Sequence, residues 1–194
     1  MIRLGRVEVT GGFLLLLAWL NYLDRSFLVP LAAAACTVHE LGHFFVIRLT
    51  GGDINQIRLT AVGAEMVLSR PLSYWQEGIS ALAGPGANLL AALFCCGSEG
   101  TLVFSGLNLV LALFNLLPAG QLDGGRALYC TLALLAGPDA AMKTAACLDV
   151  VSTTGVLAAG LILAGYCRNV TLLLVGFWLL AAFLRKNILS SKMK

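Results

Sequence analysis

His39-Glu40-Leu41-Gly42-His43 lies inside an apolar run, residues 27–49, that is long enough to cross a bilayer. On a helix, residues four apart share a face, so both imidazoles can bind one zinc ion while Glu40 stands beside them, within reach of a water on that ion. These are the only two histidines in the chain. The alternative is two core histidines and a chance glutamate. A carboxylate in the middle of an apolar span is costly enough to count against that alternative and to mark a functional site.

Working outward, 59% of the 194 residues are hydrophobic and 12% are charged, against roughly 25% charged in an average soluble protein. The expectation is an all-α polytopic membrane protein, a single domain over residues 1–194 with no separate soluble module. The net charge of +3 owes most to Arg185, Lys186, Lys192 and Lys194 after the last apolar run. Such a basic tail, about 185–194, fits a cytoplasmic anchor and not a nucleic-acid surface. The cysteines, Cys36, Cys95, Cys96, Cys130, Cys147 and Cys167, show no metal or disulfide spacing and read as small apolar residues. Cys36, one turn before His39, is the only one placed to face a metal. The early apolar run 12–20 follows Arg3 and Arg6 without a small-residue cleavage site after it, which predicts a retained first span.

Six apolar segments can be drawn, at 11–23, 27–49, 73–97, 102–135, 145–167 and 170–185. Six spans with basic residues at both ends place both termini in the cytoplasm of a multi-pass cell-membrane protein. The second segment then exits near Arg48, with His43 ~7 Å and His39 ~13 Å inside that end. The fourth segment breaks at Pro118-Ala119-Gly120 and resumes after Asp123-Gly124-Gly125-Arg126. Irregular backbone at membrane depth survives only where protein or a wet cavity covers it, so the break should face the bundle interior. Asn115, ~20 Å along that segment, comes to a depth similar to that of the histidines. Between residues 53 and 68 the period changes to two, with Ile57, Leu59 and Ala61 on one face, then Ala64, Met66 and Leu68 after Gly63. This predicts a small membrane-associated β-hairpin, with residues 57–61 offering an unpaired edge.

A catalytic zinc takes three protein ligands and keeps a position for water, whose pKa it lowers toward 7. With no third histidine, the remaining ligand must be a carboxylate or thiolate. Asp123, Asp149, Glu77 and Glu99 are the carboxylates in or near spans. Asp123 is favoured because Pro118 and Gly124-Gly125 let the backbone turn it inward, although an Asp before Gly-Gly-Arg also fits a helix N-cap. Glu40 would serve as general base and return the proton to the leaving amine. Asn115 could hold the substrate carbonyl or its oxyanion, or bond a neighbouring helix instead.

The runs His39-Glu40-Leu41-Gly42-His43, Ala83-Gly84-Pro85-Gly86-Ala87-Asn88, and Phe114-Asn115-Leu116-Leu117-Pro118 leading to Leu122-Asp123-Gly124-Gly125-Arg126 occur in this order. Together they resemble the three signatures of the site-2 protease family of intramembrane zinc metalloproteases, over residues 27–135. The resemblance implies one zinc per chain on His39, His43 and Asp123, with Glu40 as base and Asn115 as a substrate-positioning residue. Gly84, Pro85 and Asn88 match a motif near the site and are expected to position substrate. It also implies cleavage of a membrane-embedded or membrane-associated protein, with a regulatory membrane partner left open, and a β-structure that pairs with an extended substrate. The compact plan, lacking PDZ and CBS segments, is most similar to the sporulation branch that processes a pro-sigma factor.

Two other readings have distinct signatures. A membrane zincin trimming soluble peptides would not need a transmembrane or amphipathic helix on its substrate. A zinc transporter would show paired repeats around its site and no need for Glu40, and no repeat is detectable.

Overall fold

The computed structural model describes residues 2–60, 63–168 and 170–192. Ala61 and Lys194, both used in the sequence analysis, lie outside them. The chain forms two compact units, Met1–Phe114 and Asn115–Lys194.

The first unit contains β1 (Ile2–Leu4), β2 (Val7–Val9), α1 (Gly11–Leu23), α2 (Leu28–Leu49), β3 (Ile54–Thr60), β4 (Gly63–Leu68) and α3 (Tyr74–Cys95). A 3₁₀ turn, Glu99–Thr101, then leads into α4 (Leu102–Asn115), whose last residue is the first of the second unit. The Thr10 hydroxyl accepts from the Phe13 amide at 3.3 Å and starts α1. Asp24 ends it and begins α2, its carboxylate accepting from Ser26 N at 2.9 Å and Val29 N at 2.8 Å while Phe27 turns through φ 59°. Ser73 and Gln76 form a capping box that starts α3.

The expected hairpin is present as β3–β4, but it belongs to a four-stranded sheet in the order β1-β2-β3-β4. β2 runs parallel to β3, with Val7, Glu8 and Val9 opposite Ile57, Arg58 and Leu59. The α1–α2 hairpin between them returns the chain to the side it left, so β2 and β3 lie on one side of these helices. This corrects the expected edge: β3 is interior, because residues 2–9 cover it, and the edges are β1 and β4.

Charge alternates across all four strands, since Arg3 is in register with Glu8, Glu8 with Arg58, and Arg58 with Glu65. Glu8 is fully buried, 3.5 Å from Arg3 Nε and 3.2 Å from Arg58 Nε, and accepts a hydrogen bond from Gln56. Burial alone would raise its carboxyl, but the Arg58 hydrogen bond and the Arg3 and Arg58 charges outweigh this and hold it below the ordinary glutamate value. With the folded value the lower one, this stabilisation is present above the unfolded pKa of about 4.3 and is lost as pH falls through the folded pKa. Amide protection factors of Val7, Val9, Ile57 and Leu59 should therefore drop together on acidification below that window. In Glu8→Gln the step should vanish and protection should be lower at neutral pH; an unchanged acid step would show that another group sets it.

The second unit contains α5 (Asp123–Ala136), α6 (Pro138–Cys167) and α7 (Thr171–Lys192). The break expected in the fourth apolar segment is residues 116–122, between α4 and α5. The fifth segment starts earlier than residue 145, because Gly137 at φ 86° and Pro138 at the first helical position open α6 there. The basic stretch 185–192 continues α7 and is not a separate tail. Among the described residues, three helices are long and apolar enough to cross a membrane, Leu28–Leu49, Tyr74–Cys95 and Pro138–Tyr166. Gly11–Leu23, Glu99–Asn115 and Thr171–Arg185 are shorter apolar helices, so three of the six expected spans have that full length.

Candidate metal centre

α2 and α3 approach closely because glycine stands at the points of contact. A Cβ on Gly42 would lie 2.5 Å from the Ala83 carbonyl oxygen, and one on Gly84 would lie 2.3 Å from His43 Nε2 and 2.9 Å from His39 Cε1. Small residues thus bring the two backbones together as in membrane helix pairs. Pro85, buried beside Gly84, donates no backbone hydrogen bond.

His39 and His43 are buried on one face of α2, and each imidazole is held from behind. His39 Nδ1 is 2.6 Å from Asn88 Oδ1. Asn88 Nδ2 donates to the Ala35 carbonyl at 3.0 Å and to Asn108 Oδ1 at 2.7 Å, which leaves Oδ1 to accept from His39. Asn108, on α4, donates to Phe104 O at 2.9 Å. His43 Nδ1 lies 2.7 Å from the Ser80 carbonyl, which can only accept, so this nitrogen carries the proton. Both Nδ1 atoms are therefore donors, and in the neutral imidazoles both Nε2 atoms present lone pairs.

Those Nε2 atoms are 3.1 Å apart. Two lone pairs at that separation repel unless a cation lies between them. Ligands at 2.0–2.1 Å from a tetrahedral zinc are about 3.3 Å from one another, so the pair fits a zinc edge. Imidazoles whose far nitrogens donate to a carbonyl or amide oxygen are the usual supported ligands of such a site. Glu40, next to His39 on α2, is half-buried, and Cys36 one turn before is exposed.

In the second unit, Leu122 is the N-cap of α5 and Asp123 is its first helical residue, so Asp123 is not the cap. Its carboxylate stands at the positive end of the helix dipole, 3.7 Å from Arg126 Nη1. Asn115 is at the other end of the break, as the last residue of α4. Asp149, the alternative ligand, accepts from the Gly120 amide at 3.1 Å. Glu77 is in the first turn of α3 and Glu99 opens the 3₁₀ turn. Asn88, expected to contact substrate, has its amide engaged by His39, Ala35 and Asn108, and Gly84 packs on the imidazoles.

Sequence reasoning missed Asn108 and the Ser80 carbonyl. Asn108 left a signal, an amide within an apolar helix three residues after Ser105, whose hydroxyl bonds the Ala92 carbonyl at 2.8 Å. A backbone carbonyl leaves none.

No family model matches the chain. It is 35% identical over 107 residues to the Synechocystis protein named "Putative zinc metalloprotease sll0528", a match covering 49% of this chain and 28% of that protein's length. Among solved structures it resembles the Site-2 Protease from Methanocaldococcus jannaschii, with a TM-score of 0.68 and 25% identity over 95% of this chain and 93% of that one. The chain therefore has the fold of a site-2 protease and spans about a quarter of the length of the curated relative it matches.

Proposed function

We propose that this chain is an intramembrane zinc metalloendopeptidase that cuts a membrane-embedded or membrane-associated protein, with His39, His43 and Asp123 as ligands. The observation that supports it most is the pair of imidazole Nε2 atoms, 3.1 Å apart and fixed from behind, midway along an apolar 22-residue helix with Glu40 beside them. When bound, zinc supplies a Lewis acid and a water acidic enough to attack at neutral pH. Glu40 takes the proton of the attacking water and returns it to the amine as the C–N bond breaks. Asn115 donates to the carbonyl oxygen of the scissile peptide, where negative charge develops. The basic residues near both ends of the sequence favour a substrate presented on the cytoplasmic side, as in pro-sigma-factor processing, with both termini of this chain on that side.

An extended substrate segment would add to β4. The Ile57 amide donates to Arg6 O and the Thr10 amide to Leu59 O, so alternate residues Ile57 and Leu59 face β2 and Arg58 faces β4. Across the antiparallel register Arg58 pairs with Glu65, which leaves the amides of Ala64 and Met66 pointing outward. Proline at Met66 removes one outward donor while sparing the β3–β4 ladder.

The purified chain with zinc should cleave a substrate carrying a transmembrane helix and stop when a chelator is added. Met66→Pro should lower the rate about tenfold at unchanged zinc content, the loss expected from one or two backbone hydrogen bonds. Equal cleavage of a soluble peptide would favour the membrane zincin, and zinc uptake by vesicles without any cleavage would favour the transporter. A Met66→Pro chain of full activity would count against strand addition.

A further inference from the structure

Asp149 is buried in the middle of α6, the longest apolar helix, where a carboxylate needs a compensating role. Its Oδ1 accepts from the Gly120 amide at 3.1 Å, and Ser152, three residues on and on the same face, donates to the Pro118 carbonyl at 3.2 Å. Both partners belong to residues 116–122, irregular backbone whose own bonds are few: Ala119 N to Leu117 O and Leu122 N to Ala119 O, each 2.8 Å. From the other side the segment is pressed against the start of α5. A Cβ on Gly124 would lie 2.2 Å from Leu116 O, and one on Gly125 would lie 2.1 Å from Ala119 O.

The geometry points to Asp149 and Ser152 as a latch that sets the course of residues 116–122 and thereby positions Asp123 and Asn115, the residues at its two ends. Each satisfies a backbone group that an apolar setting would otherwise leave unpaired, and the two fix the segment at two points, a donor at Gly120 and an acceptor at Pro118. With the latch open, the segment loses both of these hydrogen bonds to α6, and the carboxylate of Asp123 is free to wander by the ångström that coordination does not tolerate. Asp149 is in this reading a positioning residue and not a ligand. The inference rests on Asp123 being the third ligand.

The test measures zinc affinity by chelator competition and hydrogen exchange of residues 117–122 in the full-length chain in detergent. Asp149→Ala should speed exchange across the segment and weaken zinc about ten- to a hundredfold, the range for losing a residue that holds a metal ligand. Asp149→Asn keeps an Oδ1 acceptor and should stay within about threefold of wild type by that scale. Ser152→Ala should move both readouts in the same direction as Asp149→Ala, by less, and carries the test if Asp149→Ala does not fold. Wild-type exchange and zinc affinity in Asp149→Ala, or in Ser152→Ala in its place, would overturn the latch, as would an Asp149→Asn chain as impaired as Asp149→Ala. Wild-type zinc binding in Asp123→Ala would instead overturn the ligand assignment, while exchange at Gly120 continues to report on the latch.

Discussion

A chain carrying Glu40→Gln is expected to hold one zinc as wild type does and to lose cleavage by at least ~10²–10⁴-fold, the range for removing a positioned general base. Glutamine keeps the size of the side chain and a hydrogen-bonding oxygen but cannot accept the proton that must leave the attacking water. His39 and His43 are held from behind by Asn88 and the Ser80 carbonyl, and the substitution leaves both of these supports in place. Asp123→Ala should fail in the opposite way, by losing zinc, because two imidazoles alone leave the coordination incomplete. Zinc per chain and cleavage of a transmembrane substrate, measured on both variants, separate the two roles. Near wild-type turnover in Glu40→Gln would sink the metallopeptidase mechanism. Tight zinc in Asp123→Ala would place the third ligand elsewhere, and the hydrogen bond from Gly120 makes Asp149 a poor substitute.

The helices were legible where composition alone defines them. The first apolar run matches α1 at both ends, and the Pro/Gly break separates α4 from α5 as expected. α6 begins before its apolar stretch, because Asp139 and Lys143 put charge in its first turns, and Gly137-Pro138, a stop followed by a start, carries the boundary. The sheet was half legible. Ile2, Leu4, Val7 and Val9 alternate around Gly5, whose φ of 62° suits a tight turn, but strands of three residues are too short for that alternation to stand out. That β2 lies parallel to β3, across two intervening helices, is a pairing no local period encodes, and it moved the free edge from β3 to β4. At the site, the i, i+4 histidines are a local pattern and were visible. Their support is tertiary: an amide from α3, another from α4 and a main-chain carbonyl, of which only the first fell within a recognised motif.

Gly84→Ala should be as damaging to the metal centre as removing a ligand, although it adds only a methyl group. That methyl would stand 2.3 Å from His43 Nε2 and 2.6 Å from His43 Cε1, well inside van der Waals contact. The ring cannot swing aside without giving up its bond from Nδ1 to the Ser80 carbonyl. Retreat of α3 from α2 would relieve the clash, but it would carry Asn88 away from His39 and Ser80 away from His43, which are the two supports that set the tautomers. Either adjustment moves an Nε2 atom from its place, so zinc affinity should fall about a hundredfold, the upper end for disturbing what holds a metal ligand. Gly86→Ala is the control, on the same helix two residues on, where a Cβ would meet nothing within 4 Å. There alanine should keep zinc at wild-type affinity and, by its better helix propensity, stabilise α3 by up to ~1 kcal/mol. Zinc affinity by chelator competition, with thermal unfolding of both variants in the presence of chelator, distinguishes a damaged centre from a damaged fold. If Gly84→Ala binds zinc like Gly86→Ala, the imidazoles do not sit against α3 as the distances require, and the close packing of Gly84 cannot be what holds the centre in place.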